Sequence, residues 1–291
     1  MLSLHTNNAA LSAQNAIGRT QSSLSTSMTR LSTGYRINSA MDDAAGLQIA
    51  TRLKAQTSGM AVAMRNTQNS TSMLQTAEGA LDEVSNMLIR MKDLATQAAD
   101  ASSTTDDKKA MQSEYDALGK ELGNVLKNTT FAGANLLAGT NGTLITGALT
   151  FQIGASSSET MSVDLSAAMS AVGTAVSAAT AKYNAPGAAA AGTEITTSAN
   201  ATTAISNLST ALDKVGTLRS DLGAAANRLE HVYNNLSNIS TNSQAAMGRI
   251  MDVDFASESA NMTSNQMLLQ ASTAMLKQSN SMSSMVMSLL Q

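Results

Sequence analysis

The sequence predicts a mainly α fold, an elongated helical rod with a terminal coiled coil and a small central β-hairpin region. Three observations carry that reading. Apolar residues recur every seven positions at both ends: Ala10, Ile17, Leu24 and Leu31 near the start, and Leu268, Met275, Met282 and Leu289 at the close, with Leu269, Leu276 and Leu290 beside them. Such a rhythm turns one stripe of a helix toward a partner along its whole length. Hydrophobic residues make up 43% of the 291 but aromatic ones only 2%, so Ala, Leu and Met must fill the interior, which suits close helix packing. The single proline, Pro186, leaves long helices unbroken elsewhere.

Residues 1–33 read as one helix with a hydroxyl-rich outer face, ended by Gly34. Ser39 and Asp42 have capping-box spacing ahead of a second helix that opens AAGLQIATRL. Leu74, Ala77, Leu81, Val84, Leu88, Met91, Ala95 and Ala98 step by three and four at every interval, predicting a helix of about 30 residues. The polar stretch 102–107 is a turn, with Asp106, Asp107, Lys108 and Lys109 at a solvated helix start. Met111, Tyr115, Leu118, Leu122 and Val125 mark a helix folding back antiparallel. The glycine-punctuated TTFAGANLLAGTNG is turn-like, and the alternation in LTFQIG and TMSVDL predicts a β-hairpin. Residues 166–200 are low in complexity and read as a short helix followed by an exposed loop around 183–192.

From Ala201 the heptads return in two rows, Leu208, Val215, Leu222, Leu229, Leu236 and Leu218, Ala225, Val232, Ile239, Ala246. A helix of roughly 45 residues there is about 70 Å long. The last helix starts near Asp254 and runs to Leu290. The layout is nested: 1–43 with 252–291 as a terminal coiled-coil domain, 44–165 with 195–251 as a helical rod bearing the hairpin, and 166–194 as a short surface-exposed segment.

The chemistry-bearing residues are sparse. A net charge of −3 gives no electrostatic case for nucleic acid. The absence of cysteine excludes disulfides, thiolate metal sites and Cys nucleophiles. No apolar run approaches the ~18 residues that a membrane span needs, so no membrane insertion is expected. The opening MLSLHTNNAALSAQ lacks the basic start and apolar run of a secretory signal, so if the protein leaves the cell the expected route is one that does not cleave such a signal. His5 and His231 have no second ligand at metal spacing, and Asp42 and Asp43 suit helix capping. No HExxH, phosphate-binding loop or catalytic triad is present, so neither an enzyme nor a cofactor is expected. The methionines crowding the last helix, Met262, Met267, Met275, Met282, Met285 and Met287, read as adaptable packing groups.

RLSTGYRINSAMDDAAGLQIATRL at 30–53 closely resembles the amino-terminal signature of bacterial flagellins. So do RNTQNSTSMLQTAEGALDEV at 65–84, TTFAGANLL at 129–137 and FQIGA at 151–155. DVDFASESANMTSNQMLLQASTAMLKQSN and the closing SLL are similar to the flagellin terminus. The resemblance implies a filament subunit in which the terminal domain lines an inner tube and the helical rod surrounds it. Export would be through a flagellar type III channel to an extracellular filament. The implied partners are many copies of the same chain, an export chaperone, a filament cap and hook–filament junction proteins. The seam residues expected to carry polymerisation are Leu4, Leu11, Ile17, Leu24, Leu31, Leu268, Met275, Met282, Leu289 and Leu290. The short middle implies a minimal form with little or no outer domain. A secondary implication is recognition by a Toll-like innate immune receptor, with Arg90, Leu94 and Glu114 in the family's contact positions and Ile89 and Lys92 departing from its pattern. The competing readings are a hook–filament junction protein and a non-flagellar coiled-coil adaptor.

Overall fold

The computed structural model describes residues 7–137, 142–183 and 191–289, without the side chains of 283, 284 and 286–289. Among the described residues there are six α-helices and two short antiparallel strand pairs: α1 (Asn8–Thr33), α2 (Ala44–Ala99), α3 (Thr105–Asn128), β1 (Thr130–Phe131), β2 (Ala134–Asn135), β3 (Leu149–Gln152), β4 (Thr160–Val163), α4 (Ser166–Ala179), α5 (Ser198–Met251) and α6 (Phe255–Leu289). The fold is mainly α, as the periodicity predicts. It divides into two compact units, one of residues 1–57 with 241–291 and one of 58–240. That division lies some way along α2 and α5 rather than at the 43/44 and 251/252 boundaries expected from the sequence.

In the first unit, α1 lies against α6. Gly34 stops α1 because it takes the left-handed conformation, φ 77°, that lets its N–H reach the Arg30 carbonyl at 2.9 Å. The expected capping box at the start of α2 is corrected. Asp42 closes a turn by accepting from the Ser39 N–H at 2.9 Å and the Asn38 N–H at 3.1 Å. Asp43 is the residue that caps the helix, accepting from the Gly46 N–H at 2.9 Å. The two connections of this unit meet in a small knot. The Arg36 N–H donates to the Met251 carbonyl at 2.6 Å, and the Val253 N–H donates to the Gly34 carbonyl at 3.0 Å.

The second unit has a main apolar core and, apart from it, a small cluster of Met60, Ala63 and Leu236. The whole α2 row from Leu74 to Ala98 is buried, as are Met111, Tyr115, Leu122 and Leu126 of α3 and Leu208, Val215, Leu222 and Leu229 of α5. The helix expected to begin near Leu74 and the one opening at AAGLQIATRL are a single helix, because no proline or cap interrupts 44–99. Thr104 and Asp107 form a reciprocal capping box at the start of α3. Arg219 of α5 clamps α2 by donating to Glu78 at 2.7 Å and pairing with Asp82 at 2.9 Å. Cover varies along the second heptad row of α5: Leu218 and Ala225 are buried, Val232 is half-buried, Ile239 is exposed and Ala246 is half-buried.

The predicted hairpin is present as β3 and β4, with Leu149 opposite Val163 and Phe151 opposite Met161. A tighter one joins β1 to β2 through Ala132 and Gly133, both at positive φ (50° and 84°), as a two-residue hairpin turn demands. The segment 166–194 departs from the expected surface loop. Met169, Val172, Val176 and Ala179 recur by three and four and are buried, and Tyr183 sits in the core. The short helix expected here is present as α4, and these four side chains give it a packing face. Residues 184–190, inside the expected loop, lie outside the described residues.

Gly59 and Gly216 make opposite predictions. A Cβ on Gly59 would sit 2.6 Å from the Ala155 Cβ and 3.2 Å from its Cα, so the β3–β4 turn rests directly on α2 there. A Cβ on Gly216 meets nothing within 4 Å. Gly216→Ala therefore stabilises by about 0.5–1 kcal/mol through backbone entropy. Gly59→Ala destabilises by about 1–3 kcal/mol because overpacking outweighs the same gain. Thermal unfolding followed by circular dichroism reads both signs.

Candidate functional site

The terminal helix pair is where the predicted seam residues gather. Asn7 caps α1, accepting from the Ala10 N–H at 3.0 Å, and its amide donates to the Ser279 Oγ at 3.1 Å. That contact joins the start of α1 to the far end of α6 and fixes the pair as antiparallel. The inner face of α1 carries Ala10, Ile17, Leu24 and Leu31, all half-buried. Opposite them, Met262, Asn265, Leu269, Ser272, Leu276 and Ser279 of α6 recur by three and four and are also half-buried.

The α6 heptad row that is most regular in sequence is therefore not the row that meets α1. Leu268, Met275 and Met282 lie on the outer face, and with Leu11 and Met267 they are between 52% and 69% exposed. Leu269 and Leu276, each one residue along from that row, face α1 instead. Leu4 and Leu290 lie outside the described residues, as does the side chain of Leu289. The arrangement is a helix with two apolar rows of which one is covered.

Within the pair sits one ion pair that sequence reading misses. Glu258 is buried, and its Oε2 lies 3.8 Å from an Nη of Arg30. The buried Arg30 Nε has no acceptor among the described residues. A polar groove of about 310 Å³, lined by Ser22, Thr26, Asn261 and Asn265, opens beside them. The available signal was register: Glu258 leads Met262, Asn265 and Leu269 on the inward spacing, so its charge falls on the covered face. Asp254, one turn earlier, caps α6. The Ser257 hydroxyl and then the Ala256 N–H donate to it and hold its carboxyl below the ordinary range.

In the second unit the three receptor-contact candidates separate. Arg90 and Glu114 are exposed and joined, the guanidinium Nη and Nε donating to one carboxylate oxygen at 2.7 and 2.9 Å. Leu94 is 3% exposed and packs in the core. A second polar cluster, also missed, ties α3 to the central segment. Gln112 donates to Asp116 and Glu194, both at 2.8 Å, and accepts from the Ile195 N–H at 2.8 Å. Asp116 accepts from the Gly192 N–H at 2.8 Å and lies 4.0 Å from the buried Lys182 ammonium. Burial pushes the Tyr115 phenol up, with the Glu194 and Asp116 charges adding to it, and its hydroxyl donates to the Ala179 carbonyl at 2.7 Å.

His231 is exposed. Among the described residues no group of three His, Cys, Asp or Glu side chains is placed to hold a metal ion, and no helix is long and apolar enough to cross a membrane.

Residues 4–142 match the family model for the bacterial flagellin N-terminal helical region, and residues 205–290 match that for the bacterial flagellin C-terminal helical region. The chain is similar to a flagellin of Halalkalibacterium halodurans, 39% identical over 265 residues that cover 91% of this chain and 90% of the relative. It is also similar to the B-type flagellin of Pseudomonas aeruginosa, 46% identical over 173 residues, 59% of this chain and 34% of that longer protein. In fold alone it is similar to the solved structure of a putative flagellar hook-associated protein from Vibrio parahaemolyticus. That likeness has a TM-score of 0.55 and 16% identity, covering 72% of this chain and 100% of the other.

The caps give a pH prediction. The Asp107 carboxyl, like that of Asp254, is held low, chiefly by the Thr104 hydroxyl and then by the Thr104 N–H. A carboxyl lowered in the folded state adds stability above its unfolded pKa and loses it as the pH falls through the folded value. Helix content should hold from neutrality down to the ordinary carboxylate range and fall below it. Asp254→Asn should flatten the part of that loss belonging to the terminal unit, as read by far-ultraviolet circular dichroism across an acid titration.

Proposed function

We infer what this chain does from its family: it belongs to the bacterial flagellins. It is a structural subunit that polymerises into the flagellar filament for motility. The observation that best supports a specific assembly mode is the outer row of α6, Met267, Leu268, Met275 and Met282, exposed along a helix whose other face is covered. Apolar groups repeated at heptad spacing find burial by meeting the same surface on neighbouring copies. In this reading residues 1–43 and 252–291 line the filament's inner tube, and Leu11, Leu268, Met275 and Met282 form the contacts between copies. Residues 44–165 and 195–251 surround them. Ile17, Leu24 and Leu31 hold α1 to α6 within one copy.

The filament stands outside the cell, which the chain reaches through the flagellar export channel without a cleaved signal. An export chaperone would shield the same apolar row before assembly, and cap and junction proteins would meet it at the filament's two ends. Abundance along sheared filaments separates this reading from that of a hook–filament junction protein, which assembles in few copies.

A second reading concerns an innate immune receptor of the Toll-like class. Its support is the exposed Arg90–Glu114 pair, which presents a fixed guanidinium and carboxylate on the surface where α2 and α3 meet. Leu94, being buried, would shape that surface from beneath.

Two outcomes are expected. Removing residues 282–291 abolishes seeded polymerisation, read by sedimentation, while residues 58–240 keep their cooperative thermal unfolding. In a reporter-cell assay with monomer, Arg90→Ala lowers the receptor response at least tenfold at unchanged stability. Leu94→Ala is a poor probe because truncating a buried leucine costs about 2–5 kcal/mol of stability.

A further inference from the structure

We propose that Met267, Met275 and Met282, on the outward face of α6, form an oxidative modification site. Oxygen transfer to these thioethers from a hydroperoxide stops the chain from adding to a filament. The proposal rests on the reading that copies cover this face, and it assigns that face a regulation.

The placement of sulfur in the molecule supports it. Met267, Met275 and Met282 are 61%, 69% and 52% exposed, whereas Met60, Met91, Met161 and Met169 are buried. The chain has no cysteine, so no thiol competes for the oxidant. Met275 and Met282 stand one heptad apart, about 10 Å at the helical rise. Any copy docking along the row must therefore meet both.

The step balances simply. A thioether sulfur lone pair attacks the outer oxygen of hydrogen peroxide, the O–O bond breaks, and an S–O bond forms. The departing hydroxide takes up the proton from the transferred oxygen and leaves as water. The sulfur is oxidised by two electrons and the peroxide is reduced by two. The product sulfoxide is a strong hydrogen-bond acceptor on what was a soft apolar chain. In the unassembled chain it faces water and costs nothing. In an apolar seam it would lose its hydration with no donor opposite it. The same burial shields the sulfur once a copy is in place, so peroxide acts on growth and spares the existing filament.

The test treats the purified full chain with hydrogen peroxide, maps sulfoxides by peptide mass spectrometry and follows elongation from filament seeds. Met267, Met275 and Met282 should oxidise at least tenfold faster than Met60, Met91, Met161 and Met169, and faster in free chain than in filaments. Elongation should fall at least tenfold and return after treatment with methionine sulfoxide reductase. Met28, Met41 and, on α6 itself, Met285 are also exposed and will oxidise. The variant Met267→Leu/Met275→Leu/Met282→Leu keeps all three, and its elongation rate relative to its own untreated rate should be unmoved by peroxide. Equal oxidation of buried and outward methionines would overturn the proposal, as would undiminished elongation by fully oxidised chain or an equal peroxide loss in the triple variant. Met275→Gln without oxidant isolates the underlying reading: normal elongation there removes the seam itself. Blocked elongation there, with peroxide harmless to the unaltered chain, removes only the oxidative switch.

Discussion

Helix α6 carries two apolar rows, and α1 is wide enough to cover one of them. Leu269 and Leu276 take that cover, while Leu268, Met275 and Met282 are left facing water. The pair cannot satisfy both rows by itself. Much of the terminal unit serves to hold this asymmetry in place. Asn7 and Ser279 set the antiparallel order, Asp254 fixes where α6 begins, and the bridge between Tyr35 and Asp252 joins the two connections. The Arg30–Glu258 pair adds a register mark, since a one-residue slip would strand a buried carboxylate without its guanidinium.

The second unit solves a different problem. Its core is filled almost without aromatic side chains, so alanine and leucine rows on α2, α3 and α5 approach closely and bury one another. The central segment joins that core through α4 and through the cluster around Gln112, which meets backbone as well as side-chain groups. That cluster fastens residues 192–195 to α3, so the middle of the sequence completes the domain rather than decorating it.

Periodicity made most of this legible. The α2 row, the first α5 row, the hairpin and the pairing of first helix with last could all be read from spacing. What spacing could not do was choose between adjacent rows: Leu268 begins the more regular heptad and Leu269 the one beside it, and only the position of α1 decides which is covered. Spacing does predict the short helix of the central segment, but alanine and glycine give little sign that it is buried, and nothing marks Tyr183 as core. Ser39, Asp42 and Asp43 offered two capping solutions that local geometry alone resolved. The Arg30–Glu258 contact joins residues that are far apart in sequence, and nothing at either position announces the other. Of the receptor candidates, motif position located Arg90 and Glu114 together but gave no hint that Leu94 points inward.

If identical neighbours cover the outward row of α6, a probe placed there loses access to solvent on assembly. The chain contains no cysteine, so Met275→Cys installs a single thiol at the middle of that row. Its rate of maleimide labelling can be compared between free chain and filaments assembled with unaltered subunits. Labelling should be ready in the free chain and at least tenfold slower in the filament. Equal rates in the two states would contradict that cover.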